Sequence, residues 1–475
     1  MKKILLVVLL IIIAIAVTPY YFGMKAEKQY HEIVSKIKQS PNVTVKKKSY
    51  ERGFFNSNAK TILEIKSKSK SIILNSEDNI THGPFDIMGF TKGKINLTPF
   101  VATVDSDATI KIPVTTDSGE TKTIAMNSEG NTDISFDGTA ESRYIIPKYK
   151  IIKQSENLVF NWSGVEMNFI YDYKSNNLNS SFLSKSLDIT DPDTTFKISN
   201  ITAKSTTSDI KQNLQSLTGD FEMKIKSIKF ASADEKIDMS NLSFSGFSKT
   251  SSGKLNMGMK VIGDKLITSE YEFGPLTYDI AIKNIDAAAW EKIQDSANKM
   301  KVADSPMEQG MQVMGVLPEL VKHSPVIEIK QLSLKSSLGD LNADARIKVK
   351  GDNPEMLQNI LLIGNTLEAE ASIVASKSLV DFYIEKTSTN QDIEIETDNN
   401  NVSEGADKLS EGQVFLEGEM KDSIESSDNS SGIKSFIDNG YLIPDGKNYS
   451  FKASLKQGQV TINGKPVPLA QMMLQ

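Results

Sequence analysis

The sequence predicts a mainly β (α+β) protein: an N-terminal transmembrane helix, then a long curved antiparallel sheet with a helical insert. Three observations carry this. An unbroken apolar run occupies Ile4–Val17. Beyond about residue 40, apolar and polar residues alternate with period two, the pattern of strands with one face covered. Turn-forming residues punctuate these alternating runs at hairpin-like intervals.

The first element follows Lys2 and Lys3. Its fourteen apolar residues lengthen to Met24 if Thr18–Gly23 sit at an interface. A membrane-spanning helix needs about 20 residues and a signal-peptide core about 7–15, so length does not decide between them. Ala14-Ile15-Ala16 resembles a cleavage site, but Tyr20, Tyr21 and Phe22 stand where an interfacial aromatic belt would lie. The reading is an anchor at 1–24, with a secreted chain after cleavage as the alternative. Two lysines precede the run and seven follow it by Lys48, a balance that taken strictly keeps the large domain in the cytoplasm; long domains often translocate regardless. Residues 25–40 then read as a short helix stopping before Pro41.

The β region at 25–284 and its continuation at 326–475 show the alternation directly. Leu341, Ala343, Ala345, Ile347 and Val349 interleave with Asn342, Asp344, Arg346, Lys348 and Lys350. The same pattern holds at Phe221–Ile225, Leu255–Val261, Tyr278–Ile282 and Tyr449–Leu455. Ser251-Ser252-Gly253, Gly263-Asp264 and Gln457-Gly458 separate such runs, and Asn463-Gly464 suits a type I′ hairpin.

The insert at 285–325 reads as helical. Asp286 caps a first helix through Trp290 and Ile293. Ser305-Pro306-Met307-Glu308 is the start signal of a second, with Ser as N-cap, Pro at N1 and Glu at N3. Further helices are expected at Pro354–Leu362 and Ser376–Glu385. Residues 388–430 hold twelve acidic residues and two lysines, a solvated composition expected to be partly disordered.

Composition excludes several chemistries. The 475 residues contain no cysteine and only three histidines, His31, His82 and His323. Disulfides, thiolate metal sites and cysteine nucleophiles are therefore absent, and little room remains for zinc or a Ser-His-Asp triad. A formal charge of −6 argues against general nucleic-acid binding. No glycine-rich phosphate loop is present. His82, before Gly83-Pro84, reads as a structural hydrogen-bonder in a turn. The carboxylates of Asp392–Asp398 read as a solvated strand face, with attraction of a divalent cation as the alternative, and Lys46-Lys47-Lys48 suits either solvent or anionic headgroups. No cofactor is expected.

Five residues stand as candidate ligand contacts. Met307, Met311 and Met314 fall on one helical face, which suits an apolar partner such as an acyl chain, or packing on the sheet. Phe54 and Phe55 follow Gly53, which is expected to supply a bulge or a positive φ. The two rings should then point to opposite faces, one filling the core and the other meeting an edge or partner.

Four segments together carry a resemblance: Gly23-Met24-Lys25-Ala26-Glu27, Tyr50-Glu51-Arg52-Gly53-Phe54-Phe55-Asn56-Ser57, Ile80-Thr81-His82-Gly83-Pro84-Phe85, and Gly440-Tyr441-Leu442-Ile443 through Asn463-Gly464-Lys465-Pro466-Val467. In order and spacing the chain resembles the YdgA-like family of bacterial envelope proteins of unknown function. The resemblance implies an inner-membrane or periplasmic protein of Gram-negative bacteria, tilts the large domain towards the periplasm, and brings no catalytic residues. The expected function is accordingly non-enzymatic: a protein held in the inner membrane through residues 4–24 that binds a lipid or apolar envelope component on its sheet. The alternative is a structural scaffold or homo-oligomer without a small ligand.

Overall fold

The computed structural model describes residues 2–38, 42–67, 70–93, 97–115, 121–153, 157–208, 218–299, 316, 318–351, 366–389 and 429–467. Among the described residues the protein is mainly β, its strands pairing antiparallel, with few helices. It divides into two compact units, residues 1–212 and 213–475. That division falls inside the segment 25–284 that the sequence reads as one β region.

The first unit opens with helix α1 (Lys2–Ile37). Its strands are β1 (Val43–Arg52), β2 (Asn56–Ser67), β3 (Lys70–His82), β4 (Ala102–Thr115), β5 (Thr121–Ile134) and β6 (Thr139–Ile146), then β7 (Tyr149–Lys153), β8 (Leu158–Trp162), β9 (Val165–Asp172), β10 (Asn177–Thr190) and β11 (Thr195–Ser208). A short helix α2 (Ile87–Thr91) lies between β3 and β4. β1 to β6 form a meander. β9 joins β6, and β10 joins β9. One edge of β10 is shared: Asn177–Leu183 pair with β9, and Leu187–Thr190 pair with β8 of the β7–β8 hairpin.

Helix α1 is one continuous element, where the sequence reads an apolar segment and then a separate helix at 25–40. Pro19 lies inside it and is buried, as are Gly23 and Val34. Pro19, Gly23, Ala26, Tyr30 and Val34 recur at helical spacing, which turns one stripe towards the sheet. The core under it is Ala59, Ile80 and Ala102, with Ala26, Tyr30 and Tyr50 packed against them. Among the described residues no helix is long and apolar enough to cross a membrane, and the side chains described in α1 begin at Val17.

The second unit holds β12 (Thr218–Ala231), β13 (Lys236–Ser251), β14 (Lys254–Gly263), β15 (Lys265–Ile267), β16 (Glu272–Asp286), β17 (Val326–Ser336), β18 (Leu341–Val349), β19 (Leu367–Ser376), β20 (Ile443–Asp445), β21 (Asn448–Lys456), β22 (Gln459–Ile462) and β23 (Lys465–Val467). β14 and β15 share one edge of β13, and both pair with β16. From there the order is β16–β17–β18–β19–β21, with β20 and β22 sharing the far edge of β21 and β23 outside β22. Helices α3 (Ala287–Lys299), α4 (Lys377–Thr389) and α5 (Asn429–Asp438) accompany it among the described residues.

Several expectations hold in detail. Each of the five alternating runs lies in a strand. Ser252-Gly253, Gln457-Gly458 and Asn463-Gly464 all have positive φ at both residues and join strands by two-residue loops, the type I′ geometry whose twist matches the strands it connects. Asp286 caps α3 by accepting from the Ala289 N–H at 3.0 Å. The expected helices at Ser305 and Pro354–Leu362, and most of the acidic stretch at 388–430, lie outside the described residues.

Candidate functional site

The alternation seen along single strands becomes a continuous surface once the register is known. Met223, Phe244, Val261, Tyr278, Leu332, Ala343, Ile373 and Phe451 are paired in sequence across β12, β13, β14, β16, β17, β18, β19 and β21. A second row two residues along runs Phe221, Gly246, Met259, Ile280, Ile329, Ala345, Ala371 and Ala453. A third runs Met257, Ile282, Ile327, Ile347, Ala369 and Leu455. Register shifts in β17 keep Leu332 and Ile329 on this face, although three positions separate them.

The rows are only half covered. Phe221, Met259, Ile327 and Ile347 are 44%, 47%, 42% and 42% exposed. A half-buried isoleucine gains roughly half of the 1.5–3 kcal/mol that full burial gives, so this face retains unspent apolar surface. Helix α5 covers one end, where Phe436 lies 6.0 Å from Phe451, ring centre to ring centre. Across eight strands a row extends about 34 Å, roughly twice the ~15 Å of one bilayer leaflet. Its only side-chain hydroxyl is that of Tyr278.

The opposite face is ionic. Glu328 accepts from Lys283 at 2.6 Å and from Arg346 at 3.2 Å. Its carboxyl is held below its ordinary value chiefly by the Lys283 hydrogen bond, against a smaller opposing effect of burial. Glu370 pairs with Lys456 at 2.7 Å and Glu368 with Lys350 at 3.1 Å. Both carboxyls are lowered, first by those hydrogen bonds. The Glu370 and Glu368 pairs are exposed and contribute little individually, while Glu328 is half-buried between its two cations; together they mark this side as the polar one and the other as apolar.

A second constellation gathers where α1 meets the first unit's sheet. His82, at the end of β3, is 1% exposed. Its Nδ1 lies 3.1 Å from the Phe54 carbonyl and its Nε2 2.8 Å from the Ser57 hydroxyl. A carbonyl only accepts, so Nδ1 carries the proton and Nε2 accepts from Ser57. The ring lies against Gly23, where an added Cβ would sit 2.4 Å from Cε1. One helical turn on, Glu27 accepts from Arg52 at 2.8 Å, and Arg52 also donates to the Tyr20 hydroxyl at 3.3 Å. Tyr30 reaches Thr61 at 2.9 Å. Ser57 is itself 1% exposed, so the Ser57–His82 pair is enclosed, with a backbone carbonyl where a triad would have a carboxylate.

Desolvation lowers the His82 pKa below its ordinary value, with the Phe54 and Pro19 carbonyls acting against it. The folded form therefore keeps the ring neutral, and acid favours the unfolded chain, which binds the extra proton. Stability contributed this way is complete above about pH 6.5 and declines as pH falls below it, by up to about 1.4 kcal/mol per pH unit until the folded pKa is reached. Urea midpoints at pH 7.5 and 5.5 should fall further for the native chain than for His82→Gln; equal changes would contradict this.

The family model for a bacterial protein of unknown function (DUF945) matches residues 1–470. The chain belongs to this family. No curated protein and no solved structure matched it. Membership is established at that level; the narrower YdgA-like likeness remains a resemblance.

In this DUF945 chain, three of the four segments that carry the resemblance converge on one place: Gly23 and Glu27 from α1, Arg52–Ser57 from the β1–β2 turn, and His82 from β3. They form the seat of the helix. Gly53 acts there by close approach. Its N–H donates to Asn56 O at 2.8 Å, a Cβ would lie 2.5 Å from that oxygen, and it is not among the residues with positive φ. The bulge of β1 lies instead between Val45 and Lys47. Phe54 and Phe55 do not point to opposite faces: their rings meet edge-on at 4.9 Å, with Phe54 exposed and Phe55 half-buried. The tight turn held by Gly53 leaves no strand pleat to separate them. Met307, Met311 and Met314 lie outside the described residues. Alternation shows which residues share the apolar face of one strand but not which strands are neighbours, so the rows emerge only with the register. Among the described residues no group of three or more His, Asp or Glu is placed to hold a metal ion.

Proposed function

We propose that this chain is an inner-membrane-anchored periplasmic protein that binds the acyl chain of a lipid, or a similar apolar envelope component, on the apolar face of its second unit. It works by contact and carries out no bond-making step. The observation that carries the reading is the set of three apolar rows, with Met259, Ile327 and Ile347 exposed along the second and third of them. A protein interface ordinarily contains about one hydrogen bond per 100–200 Å². These rows present almost no polar atom, and Met223, Met257 and Met259 add side chains that adapt to irregular apolar shapes. Both favour an acyl chain over a folded partner. The anchor reading is supported by the helical backbone of α1 through the apolar run, and the periplasmic side by the family likeness drawn from the sequence.

The test is to purify the full chain from bacterial membranes in a mild detergent, exchange it extensively, and extract and weigh what remains bound. Retained phospholipid or lipoprotein-derived acyl chains, in near-stoichiometric amount, are expected. A lipid-free chain in a discrete oligomer would favour the scaffold reading instead.

A further inference from the structure

The loops at one end of the first unit's sheet carry apolar tips that stay exposed to solvent. In the meander, the β1–β2 turn, the β3–β4 connection and the β5–β6 turn all emerge at this end. Phe54, Met88, Leu97 and Phe136 in them are 46%, 42%, 72% and 54% exposed. The β10–β11 turn, at the opposite end, reads Asp191-Pro192-Asp193-Thr194.

Helix α1 passes this end at a defined level. Tyr20 lies 5.9 Å from Phe54, and Phe22 lies 5.6 Å from Phe136, ring centre to ring centre. Pro19 is the first buried residue described in the helix, while Val17 is 57% exposed. The residues before that level are those of the apolar run, and at about 1.5 Å per residue Ile4–Val17 carry the helix roughly 21 Å onward. Tyr20 and Tyr21, 39% and 46% exposed, stand at the transition. Two cations hold the same level: Lys25 lies 4.8 Å from the Tyr21 ring, and Arg52, which is ion-paired with Glu27, stacks 5.0 Å from the Tyr20 ring. The nearby carboxylates of Asp86 and Asp137 are engaged in capping their own loops.

We infer that this loop end is a bilayer-interface surface: Phe54, Met88, Leu97 and Phe136 enter the headgroup region around α1, so that the first unit stands on the lipid. Tyrosines at the water boundary and cations facing anionic headgroups are the expected companions of such a surface. The inference rests on the anchor reading above and adds the orientation of the unit.

The chain has no cysteine, so single labelling sites can be introduced cleanly. Leu97→Cys, Phe136→Cys and Asp193→Cys in the full chain would each carry an environment-sensitive fluorophore in vesicles of phosphatidylethanolamine and phosphatidylglycerol. Lipids bearing a quencher near the headgroup should reduce emission at 97 and 136 and leave 193 unchanged. Leu97 is largely solvated, so its substitution does not threaten folding, and Met88→Cys provides a further tip. Water-like emission at 88, 97 and 136 in vesicle-bound protein would overturn the surface and leave the anchor standing. Protein that does not stay with the vesicles would overturn the anchor, and the surface with it.

Discussion

Replacing Gly23 with isoleucine should unseat helix α1 from the first unit. The position is closed on three sides of the His82 ring: a Cβ would lie 2.4, 2.8 and 3.1 Å from Cε1, Nδ1 and Nε2. The ring has no free rotamer to retreat to, because Ser57 and the Phe54 carbonyl hold both nitrogens. Overpacking of a fitted site costs about 1–3 kcal/mol. In a unit of this size each kcal/mol shifts the melting temperature by about 2–4 °C, so a drop of roughly 2–12 °C is expected. Trypsin should also cut faster at Lys36 and Lys38, which lie at the helix end. Gly23→Ala should give a smaller effect in the same direction. Combining Gly23→Ala with His82→Gly should cost less than the two changes separately, since contacting residues do not add. An unchanged melting curve for Gly23→Ile would show that the helix is not seated through this contact.

Placing a carboxylate on the apolar face should empty it. Met259→Asp and Ile347→Asp change residues that are 47% and 42% exposed, so the sheet tolerates them. Against a bound acyl chain the same carboxylate loses its water and gains no partner, a penalty of several kcal/mol. Co-purifying lipid should therefore fall about tenfold or more, since each 1.4 kcal/mol is a factor of ten. Lys452→Asp, on the polar face of β21, should leave it unchanged. Equal lipid loss in all three variants would point to general unfolding, and no loss in any would remove the binding face.

How much of this was legible beforehand follows from the range of each interaction. The strands at Phe221–Ile225 and Leu341–Val349 are local patterns, and local patterns are readable. So are the Asp286 cap and the two-residue turns, whose residues lie within a few positions of each other. Register is not local: Tyr278 and Leu332 are neighbours only because the chain leaves β16, makes α3 and returns as β17. The seat of α1 is less local still. Gly23 and His82 are separate short motifs in the sequence, and nothing in either names the other. Phe54 and Phe55 lie in a turn, where strand alternation does not hold, so their shared side is not readable from the pattern.

The central claim is that an apolar chain lies along the face of the second unit, and adjacent residues of one strand can test it. Ile347 belongs to that face, whereas Arg346 reaches Glu328 on the ionic side. A photoreactive phenylalanine analogue placed at each position in turn, and irradiated in intact cells, should join lipid from 347 and none from 346. Capture of lipid from both positions alike, or of protein alone from 347, would contradict the account.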